Sequence, residues 1–210
     1  MHTHPDILDY QQTLKSAFDR HYITGTDVWS ADQEMRCFPP LIQGALKLGP
    51  DAVTLDIGCG TGADTSYFSS IYQLAIGIDI VEHANWKRIL QKFPNVQFIA
   101  TTFQDFHPNL RFDLILDNGC FHHQHPEVRV AFLDKTKSLL RPGGHFALST
   151  FKCDTIDEFW DDHGRLHKYF KDRELHDLLT SAGFAIVEEM NIFRRRTNNY
   201  YRFTLCKAYA

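Results

Sequence analysis

From Asp51 onward, short apolar runs alternate with longer stretches whose apolar residues recur every three or four positions. "AVTLDI" reads as a buried strand and "GADTSYFSSIY" as the helix that follows a glycine turn. "LAIGIDI" is a second strand, and "VEHANWKRILQKF" carries helical spacing at Trp86, Ile89, Leu90 and Phe93. "VQFIA" and "FDLILDNG" predict a third and a fourth strand. "PEVRVAFLDKTKSLL" is amphipathic, and Pro142-Gly143-Gly144 is expected to stop it. "HFALSTF" gives a fifth strand, "DRELHDLLTSAGF" a helix, "AIVEEMNIF" a sixth strand and "YYRFTLCKAYA" a seventh.

Such alternation implies an α/β fold: a Rossmann-like, seven-stranded, mostly parallel sheet with helices on both faces. The polar "RRRTNN" between the last two runs is too short for a crossover helix, so these strands should form a C-terminal antiparallel hairpin. The first fifty residues differ. "DILDYQQTLKSAFDRHY" has helical spacing, "ITGTDVWSADQEMRCFPP" reads as irregular, and "LIQGALKLG" predicts a helix starting after Pro39-Pro40 and ending at Gly49. Residues 1–50 are therefore expected to cap the active site of one compact unit, residues 51–210.

Charge and composition narrow the function without naming it. The chain has 210 residues and a formal net charge of -4, so it carries no global electrostatic footprint for nucleic acid. No apolar run approaches the roughly 20 residues that span a bilayer, and "MHTHPDILDY" shows neither the basic nor the apolar region of a secretory signal. The five cysteines are scattered and form no C-x-x-C pair, which argues against a disulfide framework or a zinc knuckle and for a reducing cytoplasm. Among the twelve histidines, His2, His4, His163, His167 and His176 stand in polar segments and read as solvated. A monomer or homodimer without membrane association is expected.

Ligands of such sheets bind outside the C-terminal strand ends, where Asp56 and the glycines, Asp79, Thr102 and Asp117 fall. "GCGTGA" satisfies the G-x-G-x-x-A dinucleotide fingerprint formally. A dinucleotide would place a pyrophosphate on that turn, close to the carboxylate of Asp56. A cationic ligand reverses the sign of that interaction, and S-adenosylmethionine carries a sulfonium and an ammonium and no phosphate. An oxidoreductase using NAD(P) also lacks its catalytic Tyr-x-x-x-Lys after the fourth strand.

With those residues in view, "LDIGCGTG" resembles motif I of class I S-adenosylmethionine-dependent methyltransferases. "GIDI" is similar to the family's second-strand motif, which implies that Asp79 binds the ribose hydroxyls. "RFDLILDNGCFHH" is similar to the region that faces the methyl group, and "LLRPGGHFAL" to the segment after it. The resemblance implies S-adenosyl-L-methionine as cofactor, bound by Asp56, Gly58, Cys59, Gly60, Gly62, Asp79, Ile80, Thr102, Phe103 and Asp117. Where the family commonly has Gly-Asp after the third strand, this chain has Thr101-Thr102. The adenine amino group is left to a backbone carbonyl, Gln104 or Asp105, with Phe103 against the ring. Asp79, as a strand-end acid, is expected to face solvent when no ligand is bound.

The catalytic candidates are His122, His123 and Asp117, in "DNGCFHHQH". A histidine there would deprotonate a thiol, phenol or carboxylic acid, or order the acceptor. His122, His123 and His125 lack metal-ligand spacing, so no metal is expected. "D-x-G-C-F-H-H" and "HYITGTDVW" more weakly resemble methyltransferases of the thiopurine and tellurite-resistance type, although Asn118 stands where that group usually has Arg. The acceptor pocket is expected from Tyr22, Trp29, Met35 and Phe38 in the cap and from Phe151 and Trp160 after the fifth strand.

The expected function is therefore methyl transfer to sulfur or oxygen of a small-molecule acceptor. One alternative is a nucleic-acid or protein methyltransferase that uses Arg194, Arg195 and Arg196 with Asn198, Asn199, Tyr200 and Tyr201. That reading lacks an N-P-P-Y motif and an appended binding domain. Another is a non-catalytic or repurposed S-adenosylmethionine-binding protein.

Overall fold

The computed structural model describes residues 6–209; His2 and His4 lie outside them. Seven strands form one sheet: β1 (Val53–Ile57), β2 (Leu74–Asp79), β3 (Val96–Ala100), β4 (Phe112–Asn118), β5 (Leu140–Lys152), β8 (Phe184–Arg194) and β9 (Asn199–Ala208), in the order β3-β2-β1-β4-β5-β9-β8. The pairs among β1 to β5 are parallel, whereas β9 runs antiparallel between β5 and β8. The expected sheet and its C-terminal hairpin are thus present.

Strand periodicity explains the helices on both faces. Along β4, Ile115 joins the core beneath α6 (Arg129–Leu139) and α7 (Asp172–Ser181), where Phe132, Leu133, Leu175 and Leu179 pack. Leu114 and Leu116 enter the opposite core with Phe38 and Ile42 of α3 (Phe38–Ala45) and Phe68 of α4 (Ala63–Ser69). Successive strand side chains point to opposite faces, so a strand buried on both sides reads as a continuous apolar run.

Several element boundaries differ from expectation. Pro142-Gly143-Gly144 lies inside β5, because α6 already ends at Leu139. The triplet is absorbed where the β4–β5 register shifts, between the Phe112–Leu140 and Leu114–His145 pairs. Pro39 and Pro40 sit in the first turn of α3, where a missing N–H costs nothing, and that helix ends at Ala45 instead of Gly49. A short helix, α2 (Gln33–Arg36), forms in the stretch read as irregular, with Asp32 accepting the Glu34 N–H at 3.1 Å. The segment after β5 folds into a separate hairpin of β6 (Glu158–Trp160) and β7 (Leu166–Lys168).

The N-terminal helix α1 (Ile7–Thr24) is fastened to that hairpin through one tyrosine. The Tyr10 hydroxyl donates to the His123 carbonyl at 2.6 Å and accepts the Leu166 N–H at 3.0 Å. α5 (Trp86–Lys92) completes the helices; its Trp86 indole donates to the Gly60 carbonyl at 2.8 Å, bracing the glycine turn from outside. No helix among the described residues is long and apolar enough to cross a membrane.

Candidate active site

β1, β2 and β4 are neighbours in the sheet, so the turns leaving Ile57, Asp79 and Asn118 open side by side. With α1 and the β6–β7 hairpin they enclose a cavity of about 740 Å³. At the end made by β1 and β2 the wall is largely backbone. The Gly58 and Cys59 N–H groups both donate to the Ile78 carbonyl, at 2.8 and 3.0 Å. Gly58 has φ +70°, and a Cβ there would stand 2.9 Å from Cys120 Cβ. Gly60 has φ +50° and faces the Tyr22 hydroxyl, which a Cβ would approach to 3.0 Å. Ile80 and Thr61 line the same region.

Gly62 does a different job from the one expected. It does not line the cavity. A Cβ at this position would meet Phe98 Cζ at 2.5 Å and Ile89 Cδ1 at 2.9 Å, so it lets α4 start close against β3 and α5.

Three buried acids border this end. Asp79 accepts the Gly60 N–H through Oδ2 and the Val81 N–H through Oδ1, both at 2.9 Å. It is 8% exposed, which corrects the expectation of a solvent-facing acid, and burial pushes its carboxyl up to about 6. Asp56 accepts from the Thr65 hydroxyl at 2.6 Å. Asp64, absent from the sequence candidates, accepts from Arg36 Nη1 and from Asn118 Nδ2, both at 2.7 Å. Burial raises both carboxyls; the neighbouring charge of Asp64 raises Asp56 further, whereas Arg36 lowers Asp64. Asn118 therefore anchors an acid beside the glycine turn.

Beyond β3, Thr101, Thr102, Phe103 and Gln104 line the cavity. The Gln104 Nε2 is buried and has no hydrogen-bond partner, whereas Asp105 turns away and accepts from the Thr102 hydroxyl at 2.7 Å. These features fit S-adenosylmethionine. Bare glycine backbone gives clearance, acids stripped of water favour a cation, and a free amide is available to an adenine edge.

In the middle of the cavity, Asp117 is fully buried and does not line the space. Its Oδ1 accepts the Cys120 and Phe121 N–H groups at 2.7 and 3.1 Å, so it holds the 3-10 turn Phe121–His123 from beneath. Burial raises it to about 7. His122 and His123 do line the cavity. His122 stacks on Phe151 with ring centroids 3.7 Å apart. His123 donates from Nδ1 to the Leu166 carbonyl at 2.6 Å, which fixes its tautomer and leaves Nε2 unprotonated. Burial holds both rings well below the ordinary histidine range.

The far end brings together Trp29, Met35 and Phe151 with Phe159, Arg165, His167, Tyr169, Arg194 and Tyr201, none of which was expected in the acceptor pocket, while Tyr22 reaches back to Gly60. His167, read as solvated, lies against Phe159 and Phe151, and its Nε2 meets Asp161 Oδ2 at 3.0 Å. Phe38 and Trp160 are not part of this wall. Phe38 stacks on Phe203 at 4.3 Å in the core, and Trp160 meets Tyr10 edge-on at 5.2 Å. On β6 the side chains alternate, so Phe159 takes the cavity face and Trp160 the face toward α1.

Comparison with known proteins points the same way. A family model described as a methyltransferase domain matches residues 31–189. A crystal structure of Burkholderia thailandensis 1,6-didemethyltoxoflavin-N1-methyltransferase, with bound 1,6-didemethyltoxoflavin and S-adenosylhomocysteine, is 32% identical with a TM-score of 0.92, covering 98% of this chain and 92% of that one. Among curated relatives, probable thiol methyltransferase 2 of Arabidopsis thaliana is 29% identical over 68% of this chain and 65% of its own length. Malonyl-[acyl-carrier protein] O-methyltransferase 1 of Ilyobacter polytropus is 34% identical over 71% of this chain and 59% of its own. The chain thus spans less than two thirds of the length of these curated relatives.

Proposed function

This chain belongs to the S-adenosylmethionine-dependent methyltransferases, and we propose that it transfers a methyl group to a ring nitrogen of a flat small-molecule acceptor. The carrying observation is the far wall of the cavity. The rings of Phe151 and His167 lie 4° from parallel, and those of Phe159 and His167 5° from parallel. Parallel ring faces offer stacking to a flat guest and little to an aliphatic one. The Burkholderia thailandensis neighbour, similar over nearly the whole chain, acts at N1 of its substrate. Sulfur or oxygen as the attacked atom is the second reading, favoured by the thiol and O-methyltransferases among the curated relatives.

In this reading residues 6–50 act as the cap. Gly58, Cys59, Gly60 and Ile80 give the cofactor its backbone cradle, Asp79 takes the ribose, Asp56 and Asp64 face the cationic groups, and Gln104 with Thr102 and Phe103 meets the adenine. S-adenosylmethionine supplies an electrophilic methyl on a sulfonium that needs no activation by the protein. What remains for the chain is to hold the acceptor in line, exclude water and remove a proton.

His122, His123 and His167 line the cavity, and their surroundings separate their roles. His167 donates from Nε2 to the Asp161 carboxylate, which is held well below its usual range by its Arg165 and His167 partners. A proton taken at His167 Nδ1 is thus stabilised by an adjacent anion. His123 has a carbonyl partner instead of a carboxylate, so a proton there is costlier. We assign His167 as the general base with Asp161 behind it. His122 and His123 position the acceptor, and Asp117 holds the turn that carries them.

The test is product analysis with methyl-labelled S-adenosylmethionine and 1,6-didemethyltoxoflavin, thiophenol and catechol as acceptors. Methyl on a ring nitrogen is the expected outcome. Methylation of thiophenol or catechol alone would overturn the nitrogen assignment in favour of the second reading. His167→Gln should lower kcat by about 10²–10⁴-fold with KM nearly unchanged.

A further inference from the structure

Charge is unevenly distributed along the cavity. The acids that line it, Asp56, Asp64 and Asp79, all stand at the glycine-turn end, where the lining cation Arg36 is paired with Asp64 at 2.7 Å. The far end is lined by Arg165, Arg194 and Arg196, with no acid lining beside them. These three cations are not equivalent. Arg165 is fully engaged by Asp161, with Nε at 2.8 Å and Nη2 at 2.7 Å from Oδ2. Arg196 is solvent-exposed on the β8–β9 turn. Arg194, at the end of β8, is buried, with its side chain 9% exposed, and its partners are distant. Nη1 lies 3.4 Å from Asn199 Oδ1 and Nη2 3.6 Å from Asp32 Oδ2, while Nε is buried with no partner. Asp32 is itself shared, taking the Glu34 N–H and the Tyr201 hydroxyl. What holds the guanidinium in place is stacking, over Tyr201 at 4.1 Å and over Phe151 at 4.8 Å.

A dehydrated guanidinium with five donors and no short acceptor is costly unless something completes it. Phe151, on which it lies, is also the ring that His122 stacks against and His167 parallels. The cation therefore sits at the edge of the wall on which a flat guest would stack. We propose that Arg194 is an anion-binding residue for the acceptor, and that the acceptor is held as a ring-delocalised anion: a flat, carbonyl-bearing heterocycle whose acidic ring proton has passed to His167. This rests on the methyltransferase reading above and adds the charge state of the substrate to it. An anionic acceptor is also the better nucleophile, and its charge complements the cationic methyl donor favoured by the acids at the opposite end.

The test uses the full chain saturated with S-adenosylhomocysteine, and two flat probes followed by calorimetry. Barbiturate is ionised at neutral pH; 1,3-dimethyluracil is similar in shape and has no proton to lose. Barbiturate is expected to bind at least about tenfold more tightly. Arg194→Gln should reduce that preference to about twofold or less, Arg194→Lys should retain part of it, and Arg195→Gln, on the exposed turn, should retain all of it. Melting temperature and S-adenosylhomocysteine affinity report whether each variant is folded. If Arg194→Gln does not fold, the wild-type preference and its reduction in Arg194→Lys still decide. Equal or weaker binding of barbiturate than of dimethyluracil, binding of neither probe, or an undiminished preference in folded Arg194→Gln would overturn the assignment. Failure of S-adenosylhomocysteine itself to bind would instead bring down the methyltransferase reading.

Discussion

The two ends of the cavity are built on different principles. The end assigned to the cofactor is made from the backbone of three short strand-end segments, around Gly58, Asp79 and Thr102, and from acids tied to that backbone. The end assigned to the acceptor is made from side chains of α1, the β6–β7 hairpin and the β8–β9 hairpin, which meet across more than a hundred residues of sequence. The first is rigid because it hangs on the sheet. The second is an assembly of ring faces and cations whose geometry depends on how distant segments cross. A common donor and a particular acceptor suit this division, because loops on a fixed scaffold change without disturbing the cradle.

The change that breaks the comparison most sharply is Gly58→Val. A β-branched residue at φ +70°, with its Cβ 2.9 Å from Cys120 Cβ, strains the turn and fills the cradle. Strain of about 1–3 kcal/mol, with clash added, corresponds to at least about a 10²-fold loss of S-adenosylhomocysteine affinity by calorimetry. Arg194→Gln, at the other end, should leave that affinity within about twofold. If both variants lost cofactor binding equally, the two ends would be one cooperative unit.

The buried acids and the buried histidines should also respond to pH with opposite sign. Asp79 is pushed up to about 6 and Asp117 to about 7, and Asp56 is raised as well. Carboxyls raised on folding contribute stability that is present below about pH 4 and is lost as pH rises through their folded values. His122, His123 and His167 are lowered by burial, so their contribution is lost as pH falls below the unfolded histidine value of about 6.5. The two slopes oppose one another below about pH 6.5, and the acids act alone above it. The melting temperature of the ligand-free protein should therefore fall by several degrees between about pH 6.5 and 8, at about 2–4 °C per kcal/mol for a chain of this size. S-adenosylmethionine should offset that fall more than S-adenosylhomocysteine does, because only the former brings a sulfonium to the ionised acids. A melting temperature that rises over this window would mean that the acids are compensated within the protein.

The same division explains what could be read from the chain before its structure was in view. The succession of strands along the chain, the glycine turn and Asp79 follow from local patterns, since backbone conformation and strand-end position are local properties. Asp64 escaped because its value depends on Arg36 and Asn118, residues 28 and 54 positions away. Arg194 read as one of three adjacent arginines of the nucleic-acid alternative, and only the pairing of Arg194 with Asn199 at the hairpin end buries it while Arg195 and Arg196 stay exposed. His167 read as solvated because its neighbours are polar; Phe159 pairs with it across the β6–β7 hairpin, and Asp161, in the turn after β6, holds its Nε2. Gly62 was recognisable as a glycine that had to be one, yet not as serving packing against Phe98 in place of the ligand.

The smallest expected effects come from the adjacent pair Phe159 and Trp160, and they sharpen the comparison because one position along the chain separates two roles. Both are aromatics on a three-residue strand, and composition alone gives no reason to prefer either for the pocket. The pleat does: Phe159 lies against His167 at 4.8 Å and lines the cavity, whereas Trp160 meets Tyr10 and belongs to the small apolar cluster with Leu14 and Leu166. Phe159→Ala should raise the KM for the acceptor about fivefold, the equivalent of roughly 1 kcal/mol of stacking, and leave the melting temperature almost unchanged because Phe159 is 42% exposed. Trp160→Ala should do the reverse. Its loss loosens the contact that steadies Tyr10, whose hydroxyl joins the His123 carbonyl to the Leu166 N–H, and should lower the melting temperature by about 2–4 °C for each kcal/mol lost. Its effect on KM should be less than about twofold. Interchanged outcomes would mean that β6 is turned over in solution, with Trp160 facing the acceptor; equal outcomes would mean that the hairpin acts on α1 and on the acceptor as one piece.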